Sequence, residues 1–252
     1  MLILMRRFRL DLCRKGGLDI SDSLHSLALC FTSRYEKQVS IADLEEAITF
    51  CRPPGHSDRA MAFNNLASNL RRRFLRLRTN PVNIEVISLH RSALDLRPEG
   101  HRWFLLTELS VSLCYRYDKQ SSVVELEEAI TLGRTALELR PPDYFHRARP
   151  FINLGNALRR RFLKLGANAD LEEAISFNQS ALNLRPPGHQ NRSDSLHSLA
   201  LCFSHRCDKQ ASMADLEEAI TLSRAALELR SPSHCDRAST LTTLLMTCGA
   251  GF

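Results

Sequence analysis

The chain has 252 residues, 44% of them hydrophobic and 25% charged, with a formal net charge of +6. That balance excludes a low-complexity or disordered polymer, and no run of 18 apolar residues offers a membrane span. Only five of the 34 basic residues are Lys, and the eight Cys include no Cys-x-x-Cys pair, so a disulfide framework is excluded in favour of a reducing, cytoplasmic setting.

In chain order, residues 1–19 come first. Met1–Lys15 is Arg-rich with Asp11 as its only acid. Leu4-Met5-Arg6-Arg7-Phe8 matches Leu158–Phe162, so the segment reads as a repeat remnant or N-terminal extension, with a mitochondrial presequence as the minority reading. From residue 20 onward one phrase organises the chain. Leu-Glu-Glu-Ala-Ile stands at Leu44–Ile48, Leu126–Ile130, Leu171–Ile175 and Leu216–Ile220, and the last three copies are 45 residues apart. A fixed period of this size marks a stacked-repeat architecture. The repeats start near residues 20, 59, 102, 147 and 192, giving five helix pairs over 20–236, and a truncated sixth occupies 237–252. Ser21–Phe31 recurs unchanged at Ser193–Phe203, so the array grew by duplicating repeats in pairs.

Each repeat predicts two helices. In helix A of the fourth repeat, Phe151, Leu154, Leu158, Phe162 and Leu165 are spaced as one buried face. Phe63, Leu66, Leu70, Phe74 and Leu77 match them in the second repeat, and Leu196, Leu199 and Phe203 in the fifth. Gly155, Ala67, Ala200 and Ala28 stand beside the core Leu, where a small residue lets a neighbouring helix come close. Helix B opens with Ser40, Ser122 or Ser212 and an acid three residues on (Asp43, Glu125, Asp215), which is close to a capping box. Acids crowd its first turn, and Arg followed by Pro53, Pro98, Pro141, Pro186 or Pro232 ends it. Each helix is expected to run about 13 to 15 residues, roughly 20 Å at 1.5 Å per residue. The paired acids of the recurring phrase, such as Glu172 and Glu173, are expected to face water.

No phosphate loop, nucleophile elbow or zinc-protease pattern occurs, so the chain reads as non-enzymatic, without cofactor or metal. His56, His189 and His234 each sit three residues before an Arg between repeats, which suits a turn or capping role. A second stripe of helix A is polar. In the fourth repeat it contains Asn153, Asn156 and Arg160. In the second repeat it contains Asn64, Asn65, Ser68 and Arg72, and in the fifth His197, Ser198, Leu201 and His205. The first repeat supplies His25, Ser26 and Leu29. Amides can hold a peptide backbone and Arg can fork onto a carboxylate. Phe74 and Phe162 fall on the buried stripe, which leaves no aromatic platform for bases and makes nucleic acid an unlikely partner.

The run Phe151-x-x-Leu154-Gly155-x-x-Leu158, followed by Ala174, Ala181 and Pro186, resembles the tetratricopeptide repeat. The 45-residue length and the Ala-Leu-Glu-Leu-Arg ending are similar to the longer repeats of the kinesin-light-chain-like type. More narrowly, Asp-Leu-Glu-Glu-Ala-Ile with Leu-Arg-Pro-Pro-Gly-His resembles fungal arrays that accompany CHAT protease-like or NB-ARC-type domains, neither of which this sequence contains. The resemblance covers residues 20–248. It implies an all-α, right-handed solenoid of antiparallel helix pairs whose concave groove is lined by the polar stripe of helix A. A protein or peptide, an acidic one in particular, is the implied partner. The alternatives are a sensor region of a larger effector and an RNA-binding helical repeat. Solenoids end in polar capping repeats, and the apolar ends expected here would favour end-to-end self-association.

Overall fold

The fold was obtained as a computed structural model and describes residues 59–77, 83–98, 102–139, 147–232, 234 and 236–249. The readings placed on residues 1–58, among them His25, Ser26, Leu29, Ser40 and His56, lie outside the described residues, as do the side chains of Arg72 and Phe74. The protein is all-α. Its described helices are α1 (Arg59–Leu77), α2 (Asn83–Asp95), α3 (Trp103–Gln120), α4 (Val123–Glu138), α5 (Ala148–Leu165), α6 (Asn168–Asn183), α7 (Arg192–Gln210), α8 (Met213–Glu228) and α9 (Arg237–Gly249). Helices α1, α3, α5, α7 and α9 are the A helices of their repeats. The first four of these A helices are longer than expected, at 18 or 19 residues.

The chain forms two compact units, Met1–Lys119 and Gln120–Phe252. In the first, α1 packs on α2 through Phe63, Leu66, Ala67 and Leu70 against Val86, Leu89 and Ala93, with Leu105 of α3 closing the cluster. These are the residues that the 3- and 4-residue apolar spacing puts on one helix face. In the second unit, α5 with α6 and α7 with α8 form the most extensive pairs, and α6 then meets α7 and α8 meets α9. Leu196, Leu199 and Ala200 of α7 are buried with Leu182 of α6 and with Leu222 and Ala226 of α8. One A helix therefore serves its own helix B and the preceding one.

A close approach occurs at Gly155. A Cβ there would lie 2.7 Å from Asn178 Nδ2 and 3.1 Å from the Ala174 carbonyl oxygen. Asn178 is fully buried in α6, so α5 can sit this near only because residue 155 has no side chain.

Near the C-terminal end of α5 and of α7 an Arg ties three helices. Arg161 of α5 forks onto Asp170 of α6 at 2.6 and 2.8 Å and reaches Glu127 of α4 at 2.7 Å. Forty-five residues on, Arg206 of α7 forks onto Asp215 of α8 at 2.7 and 2.8 Å and reaches Glu172 of α6 at 2.9 Å. The hydrogen bonds to Asp170 and Asp215 raise both guanidiniums above the usual Arg value, and Arg206 holds the Asp215 carboxyl below the usual carboxylate range. Two sequence expectations are corrected here. The acid pair does not simply face water, because Glu172 is bound to Arg206 and Glu173 to Arg134 at 2.7 Å. The helix B cap is also less regular than the Ser-x-x-acid pattern suggests. Ser212 Oγ accepts from the Asp215 backbone N–H, whereas Ser122 makes no such bond. The third-position Asp turns to Arg instead of completing a reciprocal box.

Arg also closes the turns between repeats. The Arg192 and Arg237 guanidiniums donate to the carbonyl oxygens that end α6 and α8, those of Leu182 and Arg185 and of Leu227 and Arg230. His189 Nδ1 accepts from Asn191 N–H and His234 Nδ1 from Asp236 N–H, at 3.1 and 3.2 Å. Helix ends need such partners for their last carbonyls.

Three successive A-to-B turns use a left-handed residue: Ser121 (φ 56°), Gly166 (φ 76°) and Ala211 (φ 53°). Only glycine takes that conformation without strain. Ala211 is exposed and its backbone N–H caps α7 by bonding the Cys207 carbonyl. Ala211→Gly is therefore expected to stabilise the second unit by about 0.5–1 kcal/mol, read as a higher urea midpoint by circular dichroism. An unchanged or lower midpoint would contradict this strain assignment.

Candidate binding surface

The polar stripe is assembled most fully in the second unit. The pairing of each A helix with helices on both sides brings α5, α7 and α9 alongside one another. Polar residues of consecutive A helices then meet, though at separations of 42 and 46 residues and not at the 45 of matching positions. Asn156 Nδ2 of α5 donates to Ser198 Oγ of α7 at 3.4 Å. Ser239 Oγ of α9 lies 3.4 Å from His197 Nε2 of α7. Arg159 Nη1 of α5 lies 3.1 Å from His205 Nε2 of α7. Arg160 folds back one turn, its Nη1 donating to the Asn156 carbonyl oxygen at 3.3 Å. Asn153, Asn156, Arg160, His197, Leu201 and His205 are all half-buried, so the row is packed laterally yet keeps a face toward solvent.

The electrostatics follow from that packing. Burial first, then Arg230 and Arg159, lower the His197 pKa to about 4. Burial and then Arg159 also push His205 below its ordinary value. Both imidazoles are neutral at pH 7. A guanidinium only donates, so His205 Nε2 accepts from Arg159 and its proton sits on Nδ1, on the side of Asp208 at 3.8 Å. The surface thus offers amide and hydroxyl groups, neutral imidazoles and two Arg, Arg159 and Arg160.

The three consecutive Arg of α5, Arg159, Arg160 and Arg161, have separate contacts. Arg161 belongs to the inter-helix ladder, Arg159 to the His205 contact and Arg160 to the stripe. Sequence reasoning put Arg160 on the stripe and did not place Arg159 or Ser239 there. Ser239 was not legible from the period, since the residues 45 and 90 places before it are Asp194 and Arg149, which lie off the stripe. The second-repeat candidates differ. Asn64, Asn65 and Ser68 lie on α1 in the first unit, and Asn64 is only 2% exposed, so it is a core amide of that unit and does not line an open surface.

Among the described residues no three His, Cys, Asp or Glu side chains converge as metal ligands would, and no helix is long and apolar enough to cross a membrane. Cys202 is fully buried and burial pushes its thiol up to about 11, which leaves it unreactive. No protein-family model matches the chain, and no curated protein matches it.

Proposed function

We propose that the chain is a non-enzymatic scaffold of tetratricopeptide-like type, a right-handed solenoid that binds a protein or peptide segment along the stripe of α5, α7 and α9. One observation supports this reading above others: polar residues of three consecutive A helices touch in a lateral row while keeping solvent-facing area. An extended peptide presents alternating N–H and C=O groups about every 3.3 Å. Asn, Ser and neutral His can serve both kinds of group. Arg159 and Arg160 favour an acidic segment over a basic one.

The alternative, a sensor region of a larger effector with a CHAT protease-like or NB-ARC-type domain, uses the same surface and rests on sequence resemblance alone. RNA binding is the weaker reading. Base stacking needs exposed aromatic faces, whereas Phe162 is 6% exposed and the guanidinium of Arg206 covers the Phe203 ring at 5.0 Å. A cytoplasmic location is part of the proposal and rests on the free thiols.

With a partner identified by affinity capture, titration calorimetry is expected to show Asn156→Ala with Arg160→Ala weakening binding at least about tenfold. Glu217→Ala, at an exposed position of α8, should leave it unchanged. Equal affinity for the double variant and the wild type would remove the stripe as the site.

A further inference from the structure

His90 is fully buried in α2, and neither ring nitrogen has a hydrogen-bond partner. Polar groups in such a position cost free energy unless they are satisfied. Two charged groups bear on the ring from the helices packed around it: Arg71 of α1 opposes an imidazolium and Glu108 of α3 favours one. Those two side chains are themselves paired at 2.7 Å and almost wholly buried, so α1 and α3 are joined by an ion pair beside the ring.

The repeat does not require an imidazole at this place. The matching residues of the next three helices B are Gly133, Asn178 and Ser223, all of them buried. Packing alone is met by no side chain, by an amide or by a hydroxyl. Only in the first unit does the position hold a group that can change charge near neutral pH.

We propose that His90 is an acid-operated release point for the first unit, where uptake of one proton loosens α2 from the Arg71–Glu108 pair that joins α1 to α3. The folded unit holds the ring neutral, since an imidazolium would sit beside the Arg71 guanidinium without water. Burial, then Arg71, lower its pKa to about 4, against an ordinary value of 6.5. The unfolded chain therefore binds the proton first. Stability is fully present above pH 6.5 and is lost as pH falls from 6.5 toward 4.

The chain's only Trp, Trp103, begins α3 in this unit and reports its unfolding. Urea titrations followed by Trp103 fluorescence are expected to show the unfolding constant of the wild type rising about 20-fold between pH 7 and pH 5. In His90→Asn and His90→Ser, which carry the residues found at the matching positions 178 and 223, the rise should fall below about threefold. If the wild type shows no such rise, or if a folded variant keeps it, His90 is not the release point. Should either variant fail to fold at pH 7, hydrogen exchange of the wild type decides. Loss of protection in α1–α3 between pH 7 and pH 5 supports the proposal, and unchanged protection there overturns it.

Discussion

Glu108→Ala is expected to destabilise the first unit by about 3–5 kcal/mol, the range for removing one partner of a buried ion pair. The side chains of Arg71 and Glu108 are 10% and 3% exposed and meet at 2.7 Å, so the Arg71 charge that remains has little water to turn to. The pair itself is a different matter. Replacing both members by apolar residues of similar size, as in Arg71→Met with Glu108→Leu, is expected to be near neutral, because desolvation of the two charges offsets most of their attraction. Urea unfolding followed at Trp103 measures both. A single variant within about 0.5 kcal/mol of wild type would show that the pair is solvated in solution.

The second large effect is at Gly155. Gly155→Leu is expected to cost the second unit about 3 kcal/mol, because the added side chain meets the buried Asn178 amide and the Ala174 carbonyl oxygen. Gly155→Ala should cost less, about 1–2 kcal/mol, since the gain in helix propensity of about 1 kcal/mol works against the clash. The fifth repeat suggests the rescue. Its matching residues are Ala200 and Ser223, both fully buried. Asn178→Ser shortens the side chain that a Cβ at 155 would strike, so Gly155→Ala with Asn178→Ser should recover most of the loss. Purely additive effects in chemical denaturation would mean that residues 155 and 178 do not share this contact.

The helices were legible because burial leaves a periodic trace. Phe151, Leu154, Leu158 and Phe162 recur at 3 and 4 residues, and Leu154 and Leu158 are the most buried of them, whereas Leu165, expected on the same face, is 57% exposed at the helix end. Start positions were equally clear, since Arg at a repeat's head bonds the carbonyl oxygens that end the helix before it. The charge ladder was not legible. Its partners lie 34 residues apart, Glu127 with Arg161 and Glu172 with Arg206, in neighbouring repeats. Period alone cannot tell an acid that faces water from one that faces the neighbouring repeat. For the same reason Asn64 and His197, equivalent in sequence, sit differently: Asn64 is 2% exposed and His197 is half-buried. The environment of each is set by the side chains around it, which are the least repeated part of the array. The stripe on α5 and α7 was legible as a pattern of polar residues, but its lateral contacts and the part α9 takes in it depend on how closely the A helices approach.

Site-specific photo-crosslinking tests the central claim, that a protein or peptide segment lies along this stripe. A photoreactive amino acid at position 201, half-buried in the middle of the row on α7, is compared with one at position 217, exposed on α8. With a captured partner present, position 201 is expected to yield a crosslinked adduct that mass spectrometry traces to one segment, and Asn156→Ala with Arg160→Ala should abolish it. Crosslinking from position 217 with none from position 201 would contradict the account and place the binding face on the B helices.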